Sequence, residues 1–167
     1  MAIIREERPQ DHRAVYEVNR RAFETAAEAE IVEAVRRVAM PPVSLVAVEG
    51  DRVVGHILLS PVTIRNEEKK ATAMGLGPMS VLPEFQKQGI GAQLVRAALE
   101  ACRKMQHNVV FVLGHTHYYP RFGFEPAAPR GLHYKNELLD THFMVAELEP
   151  GALDGVAGVV EYLPEFD

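Results

Sequence analysis

A glycine-containing turn near the middle of the chain has the residue types and spacing of a phosphate-binding loop. Gln86-x-x-Gly89-x-Gly91 follows an apolar segment that ends at Val81 and precedes an apolar pattern of helical period. Glycines allow a tight turn and a close approach of a ligand to backbone N–H groups. The first N–H groups of a helix lack intrahelical partners and attract anions. Lys87 adds a positive charge, so the turn predicts a site for a phosphate or pyrophosphate.

Two familiar phosphate-binding motifs do not fit this turn. A P-loop needs Gly-Lys-Ser/Thr, and no such tripeptide occurs in the sequence. The dinucleotide fingerprint G-x-G-x-x-G would place its third glycine where Leu94 stands. The turn is therefore a phosphate site of another kind, or a simple turn that begins a helix.

The elements that must hold this turn are readable on both sides of it. Residues 71–81 read as a strand, and the apolar run 109–113 has the length of a strand buried on both faces and parallel to the first. The intervening helix should make this unit a right-handed crossover. The helix is predicted by apolar residues that recur every three or four positions: Leu94, Val95, Ala98, Leu99, Cys102 and Met105.

The other predicted elements surround this unit on both sides. Turn residues, prolines and changes of hydrophobic period mark their ends. In chain order they are a strand at 2–6, a helix around 15–23, a helix at 26–40 stopped by Pro41 and Pro42, a hairpin at 44–48 and 53–60, a polar turn at 66–70, and strands near 124–134 and 141–148.

Composition limits the class of protein. A chain of 167 residues, 47% apolar and 25% charged, fits one α/β domain over 1–167, with 151–167 as an extension that packs on the domain or on a partner. No membrane span or signal peptide is read, and the single cysteine, Cys102, is expected to be buried, so a cytoplasmic location is expected. The net charge of −5 argues against a nucleic-acid surface. A homodimer is a further expectation.

The strand that enters the turn contains a proline, Pro78, which cannot donate to a sheet. Either the strand ends there, or a bulge frees backbone groups of Met79 and Val81 from pairing. Freed groups could bind amides of an extended ligand as an added strand would. A freed N–H, which we assign to Met79, could also stabilise the oxyanion that forms when an acyl carbonyl is attacked.

Two segments together resemble the GNAT N-acetyltransferase superfamily over residues 45–124. One is Gln86-x-x-Gly89-x-Gly91, and the other is Tyr119-x-x-x-Gly123-Phe124, which follows the second parallel strand. The details of these segments are similar to the YhbS-like group within that superfamily. The resemblance implies a mixed central sheet of about six to seven strands, flanked by helices, with a β-α-β core that binds acetyl-CoA.

The resemblance also implies an activity. An acetyl group would move from acetyl-CoA to a primary amine of a small molecule or protein by direct attack in a ternary complex, without a metal. Tyr119 would protonate the leaving thiolate, with Tyr118 as its rival and a purely structural Tyr119 as the alternative. The implied cofactor-binding residues are Met79, Ser80, Val81, Gln86, Lys87, Gln88, Gly89, Ile90, Gly91, Ala92, Tyr119 and Phe122.

Two departures from the family pattern keep a second function open. Gly114 stands where an asparagine is often found, and residues 72–81 contain no Asp, Glu or His that could act as a general base. The alternative is a non-catalytic acyl-CoA-binding sensor.

The acceptor is expected at the variable segments 20–30 and 134–142. His56 is read as facing the acceptor cleft or the surface, and His115 and His117 lack a third metal ligand nearby. The acidic residues of the second helix read as a solvated face or as substrate-recognising groups: Glu28, Glu30 and Glu33.

Overall fold

Nine strands form one mixed sheet in the part of the chain that the computed structural model describes, residues 2–38, 42–67 and 70–167. The strands are β1 (Ile3–Glu6), β2 (Val43–Glu49), β3 (Arg52–Arg65), β4 (Lys70–Val81), β5 (Val109–Leu113), β6 (Glu125–Pro126), β7 (Leu132–Tyr134), β8 (Phe143–Glu147) and β9 (Gly158–Glu161). The α-helices over the same residues are α1 (His12–Ala22), α2 (Ala27–Arg36) and α3 (Ile90–Lys104).

The parallel pair that the sequence predicts lies in the middle of this sheet. Across the sheet the order is β1-β2-β3-β4-β5-β8-β6, and β9 pairs with both β3 and β7 away from this path. Neighbours on the main path are antiparallel except β4 and β5, which are parallel and joined by α3. The predicted fold class and its β-α-β core are therefore confirmed. The sheet is larger than expected because the strand predicted near 124–134 is divided into β6 and β7, and because β9 joins the sheet.

Alternating residues of β3 show how the helices divide between the two faces of the sheet. Gly55 faces α3, because a Cβ at this position would lie 3.1 Å from the Leu94 side chain. His56 faces the other way and contacts Asn19 of α1, and Leu58 packs with residues of α1 and α2. The sheet therefore separates α3 from α1 and α2. None of the helices described is long and apolar enough to cross a bilayer.

Three predicted details differ from the structure. The strand predicted at 124–134 is divided into β6 and β7 by a 3-10 turn at Ala128–Arg130, after which Gly131 has a positive φ of 77°. Met105 was placed on the buried face of α3 but is 47% exposed, because it caps the helix end. The second helix ends at Arg36, before its predicted end at residue 40 and the predicted stop at Pro41 and Pro42. Residues 39–41 lie outside the described residues, as does part of the polar turn at 66–70.

The C-terminal segment packs on the rest of the chain through β9. Its residues pair antiparallel with β3, where Glu161 faces Thr63, and parallel with β7. Val160 is fully buried there, in a cluster that includes Phe111 and Phe143. Leu163 and Phe166 pack against the cluster that includes Val32 and Val35 of α2, so the end of the tail lies on the same face of the sheet as α2.

Substituting Gly158 tests this docking of the tail. A Cβ at Gly158 would lie 2.1 Å from the Arg65 carbonyl oxygen, and φ is 142°. We expect Gly158→Ala to lower the free energy of unfolding by about 2–4 kcal/mol, because backbone atoms of β3 must move. The matched control is Gly155→Ala, where φ is 73° and no atom lies within 4 Å. It should cost only about 1 kcal/mol. Equal urea midpoints for the two variants would contradict this account.

Candidate active site

The strands β4 and β5 separate in the middle of the sheet. Their parallel pairing consists of three residue pairs and ends at Leu76 and Val112. Beyond this point β5 continues to pair with β8, up to Leu113 and Phe143, while β4 continues to pair with β3. A gap therefore opens between the C-terminal ends of two neighbouring strands.

A β-bulge at Gly77 and Pro78 accompanies the separation. Leu58 of β3 faces both of these residues, since the register between β3 and β4 shifts here. Pro78 has no N–H to donate, so a break in the pairing is the place where a proline can lie within a strand. Of the two alternatives read from the sequence, the bulge is confirmed, because β4 continues to Val81.

Met79 and Val81 turn their backbone groups toward the gap. The N–H of Leu82 donates to the Val54 carbonyl of β3 at 2.8 Å, and alternate residues of an antiparallel pair face their partner. Ser80 therefore faces β3, whereas the N–H and C=O groups of Met79 and Val81 point to the side that β5 has left. The Met79 side chain points toward α3, because its Cε would lie 3.3 Å from a Cβ added to Gly91.

The helix α3 begins with unpaired N–H groups on one side of this gap. Its first intrahelical bond runs from the Gln93 N–H to the Gly89 carbonyl at 3.1 Å. The N–H groups of Ile90, Gly91 and Ala92 precede that bond and lack intrahelical partners. Gly89 has a φ of 87°, and a Cβ there would meet no atom within 4 Å. The turn therefore provides open space over groups that attract anions.

A cleft of about 1010 Å³ passes through the sheet at the gap. On one face of the sheet it is lined by the start of α3 and the turn before it, and on the other face by α1, α2 and the tail. All the residues predicted to bind cofactor line this cleft except Gln88 and Phe122: Met79, Ser80, Val81, Gln86, Lys87, Gly89, Ile90, Gly91, Ala92 and Tyr119.

Some of the predicted residues use their side chains within the protein. The Gln86 amide donates to the Val81 carbonyl at 2.9 Å, so it ties the turn to the end of β4. Gln88 is exposed and lies outside the cleft lining. Phe122 packs beneath the Arg96 guanidinium, whose carbon is 5.1 Å from the ring centre. Cofactor contacts by these residues stay predictions.

Tyr118 and Tyr119 line the cleft after β5. Their rings meet edge to face, with centres 5.1 Å apart. A Cβ on Gly91 would lie 3.2 Å from the Tyr118 hydroxyl and a Cβ on Gly114 would lie 2.6 Å from the Tyr119 ring. Burial, and then the neighbouring Tyr118, raises the pKa of Tyr119 to about 12, so its hydroxyl keeps its proton at neutral pH. Arg121 lies over the Tyr118 ring at 4.6 Å and adds a positive charge to this end.

Aromatic residues from the last part of the chain line the cleft on the side of α2. The Tyr162 hydroxyl donates to the Leu76 carbonyl at 3.1 Å, where β4 leaves β5. Its ring meets Phe166 at 5.1 Å and Tyr134 at 6.3 Å. The sequence identifies Tyr162 and Phe166 only as part of an apolar tail, because no local motif distinguishes them. We call this surface the α2–tail wall, and its members are Phe23, Glu28, Ile31, Tyr134, Tyr162 and Phe166.

A buried chain of hydrogen bonds holds β4 from the side of α1. The Ser80 hydroxyl donates to the Asn19 side-chain oxygen at 3.0 Å. The Asn19 amide nitrogen donates to the Val15 carbonyl at 3.0 Å and lies 3.2 Å from Nδ1 of His56. Nδ1 of His56 therefore accepts this bond, and the ring proton is on Nε2. The Ser80 side chain is thus committed to α1.

The chain of bonds continues to an ion pair near the surface. Nε2 of His56 donates to the Ser44 hydroxyl at 2.9 Å, which donates to a Glu7 oxygen at 2.9 Å. Arg36 donates to the other Glu7 oxygen at 2.6 Å. The interpretation that His56 faces the cleft or the surface is wrong, because its side chain is fully buried between α1 and the sheet.

Other reactive side chains are accounted for by their surroundings. Within the described ranges, no three His, Cys, Asp or Glu side chains are grouped so as to hold a metal ion. Cys102 is buried as expected, and burial raises the pKa of its thiol to about 12. Its thiol therefore remains neutral and inside the core.

The burial of His56 predicts a dependence of stability on pH. Burial, and then the Arg36 charge, lowers the pKa of His56 from 6.5 to about 3. Between these values the unfolded chain binds a proton that the folded chain does not, so stability falls as pH decreases below 6.5. We expect this group to contribute a loss of roughly 2 kcal/mol in the free energy of unfolding between pH 7 and pH 5.

Urea unfolding at these two pH values measures the loss. His56→Gln should reduce it, although the variant is less stable at pH 7, because the amide does not titrate. The exposed His117→Gln is the control and should keep the wild-type dependence. The same pH dependence in wild type and His56→Gln would contradict the assignment.

Comparisons with known proteins agree with this geometry. The family model of the acetyltransferase (GNAT) domain matches residues 3–127. The chain is 34% identical to the uncharacterized N-acetyltransferase YhbS of Escherichia coli strain K12 over 166 residues, which cover 99% of this chain and 98% of YhbS. It is 41% identical to the uncharacterized N-acetyltransferase YjhQ of the same strain over 116 residues. That match covers 68% of this chain and less than two thirds, 64%, of YjhQ.

Solved structures give the same result. The crystal structure of YhbS from Escherichia coli in complex with CoA matches with a TM-score of 0.93 and 34% identity, covering 99% of this chain and 91% of that one. A GNAT family acetyltransferase from Brucella melitensis in complex with acetyl-CoA matches with a TM-score of 0.82 and 35% identity, covering 100% and 99%. The match to the family model and the full-length similarity to YhbS show that this chain belongs to the GNAT acetyltransferase family.

Proposed function

We propose that this protein is an N-acetyltransferase that moves an acetyl group from acetyl-CoA to a primary amine by direct attack in a ternary complex. One observation carries the proposal: the cleft passes through the sheet at the gap between β4 and β5, with an anion-attracting helix start on one face and a separate wall on the other. Two substrates could thus meet from opposite faces. The complexes of two similar proteins with CoA and acetyl-CoA support the choice of donor.

The residues around the gap fit an acyl-CoA. The N–H groups of Ile90, Gly91 and Ala92 would hold the pyrophosphate, and Lys87 would add charge. The extended arm of the donor carries amide groups, and the backbone of Met79 and Val81 could pair with them as a neighbouring strand would. The N–H of Met79 would stabilise negative charge on the thioester oxygen during attack.

The reaction needs no covalent bond to the protein. The neutral amine nitrogen forms a bond to the acetyl carbon and loses a proton to solvent, the carbon–sulfur bond breaks, and the thiolate takes a proton from the Tyr119 hydroxyl, which solvent then reprotonates. Because burial raises the pKa of Tyr119 to about 12, the hydroxyl keeps its proton throughout the neutral range. Holding both substrates in one cleft supplies much of the acceleration.

Two further parts of the proposal concern the protein as a whole. Residues 1–167 act as one acetyltransferase domain, because β9 joins the tail to β3 and β7. A cytoplasmic location rests on the single cysteine, Cys102, which is buried within α3.

A thermal melt with acetyl-CoA tests donor binding. A ligand at about 100 times its Kd adds roughly 2.7 kcal/mol of stability, so a clear rise in Tm is expected, and AMP should give less. Lys87→Glu should remove most of the rise, because it places a negative charge beside the phosphates. The matched control is Lys104→Glu, the same charge reversal at the exposed end of α3. No rise in Tm for the wild type would refute the proposal.

Replacing Tyr119 by Phe tests the assigned proton donor. We expect kcat to fall by about tenfold or more, as for loss of a general acid, while the rise in Tm with acetyl-CoA is kept. Thiol release from acetyl-CoA measures the rate, and Tyr16→Phe, outside the cleft, is the control. If Tyr118→Phe lowers kcat and Tyr119→Phe does not, the donor is Tyr118. If acetyl-CoA binds but no amine causes it to release thiol, the result would favour the sensor.

A further inference from the structure

Glu28 has an oxygen atom that the protein leaves without a partner. It lies in the first turn of α2 and lines the cleft as part of the α2–tail wall. Its Oε1 is shielded from solvent and has no hydrogen-bond partner among the residues that the structure describes. A shielded carboxylate oxygen is unfavourable unless a donor reaches it. The cleft is the place from which a bound molecule could supply that donor.

The neighbouring acidic residues of α2 do not share this position. Glu30 is exposed and lies outside the cleft lining. Glu33 lies 3.8 Å from the Arg37 guanidinium, one helical turn away. The solvated-face interpretation of the three glutamates therefore suits Glu30 and Glu33 but not Glu28.

The charges along the cleft have opposite signs on its two sides. Lys87 and Arg121 lie on the side of the Gly91 turn, where the phosphates of the donor would bind. On the α2–tail wall, Glu28 is the one carboxylate among the described residues that line the cleft. An anionic donor and a cationic acceptor would thus each meet a complementary charge.

The surface next to Glu28 is apolar and aromatic. Phe23 and Ile31 line the cleft together with Glu28, and so do Tyr162 and Phe166 of the tail, whose ring centres are 5.1 Å apart. The Tyr162 hydroxyl already donates to the Leu76 carbonyl, so Tyr162 would contact a ligand through its apolar ring. Such a surface favours an apolar body and offers few hydrogen-bond partners for a peptide backbone.

We infer that the α2–tail wall binds a small primary amine with an apolar body of aromatic size, whose ammonium group forms an ion pair with Glu28. The inference rests on the proposed function and deepens it by naming the class of acceptor. Glu28 is a binding residue here, because it holds the ammonium form of the acceptor. The bound amine loses a proton to solvent before its nitrogen attacks the thioester.

Binding of 2-phenylethylamine to the protein saturated with CoA tests the inference without requiring turnover. The wild type should be stabilised further by the amine and much less by 2-phenylethanol, which has a similar body and no charge. Glu28→Gln should weaken amine binding by about tenfold or more, because the shielded charge is lost. The matched control is Glu30→Gln, which removes one charge from the same helix turn and should bind the amine as the wild type does. Both variants should keep the rise in Tm with acetyl-CoA.

Several results would overturn the inference while leaving the proposed function intact. They are equal binding of the amine and the alcohol, equal effects of Glu28→Gln and Glu30→Gln, or thiol release with a lysine-containing peptide but not with 2-phenylethylamine. Two other results would refute the proposed function. Either acetyl-CoA does not stabilise the wild type, or the amine binds in a manner that depends on Glu28 and is never acetylated.

Discussion

Hydrogen bonding between β4 and β5 stops after three residue pairs, and the rest of the cleft depends on this interruption. Backbone groups inside a protein need partners, so a strand that leaves its neighbour must find others. Part of the need is met within the chain, by the Gln86 amide at the Val81 carbonyl and by the Tyr162 hydroxyl at the Leu76 carbonyl. The remaining groups of Met79 and Val81 are available to a ligand. In this sense a bound donor would complete the sheet.

A strand end with only one sheet neighbour needs support from elsewhere. After the bulge, β4 is paired with β3 alone, and the bonds from Ser80 through Asn19 to His56 join it to α1 as well. Each hydrogen bond in this buried chain has a defined donor and acceptor, and the chain ends at the carboxylate of Glu7. In this arrangement His56 is neutral. Fully paired buried networks of this kind restrict movement. Ser80 is therefore held by its backbone to β3 and by its side chain to α1, and this fixes the position of the neighbouring Met79 in the gap.

The parts of the site that could be predicted from sequence are those encoded locally. The turn at Gly89, the period of α3 and the break at Pro78 each have a cause within a few residues. The packing of the tail on the domain or on a partner could be predicted, but not its strand β9, because β9 pairs with Thr63 and its neighbours, far earlier in the chain. The burial of His56 could not be predicted, because its partner Asn19 comes from another element. Glu28 and Glu30 have similar surroundings in the sequence. Only the packing of α2 places Glu28 at the cleft and leaves Glu30 exposed to solvent.

The α2–tail wall joins residues from two distant parts of the chain. Phe23, Glu28 and Ile31 lie within the region that the family model matches, residues 3–127, whereas Tyr134, Tyr162 and Phe166 lie beyond it. A comparison restricted to the matched region therefore includes the whole turn at Gly91 but only part of the wall. Two relatives with the same turn and the same residues in α2 could still differ in the aromatic side of the cleft.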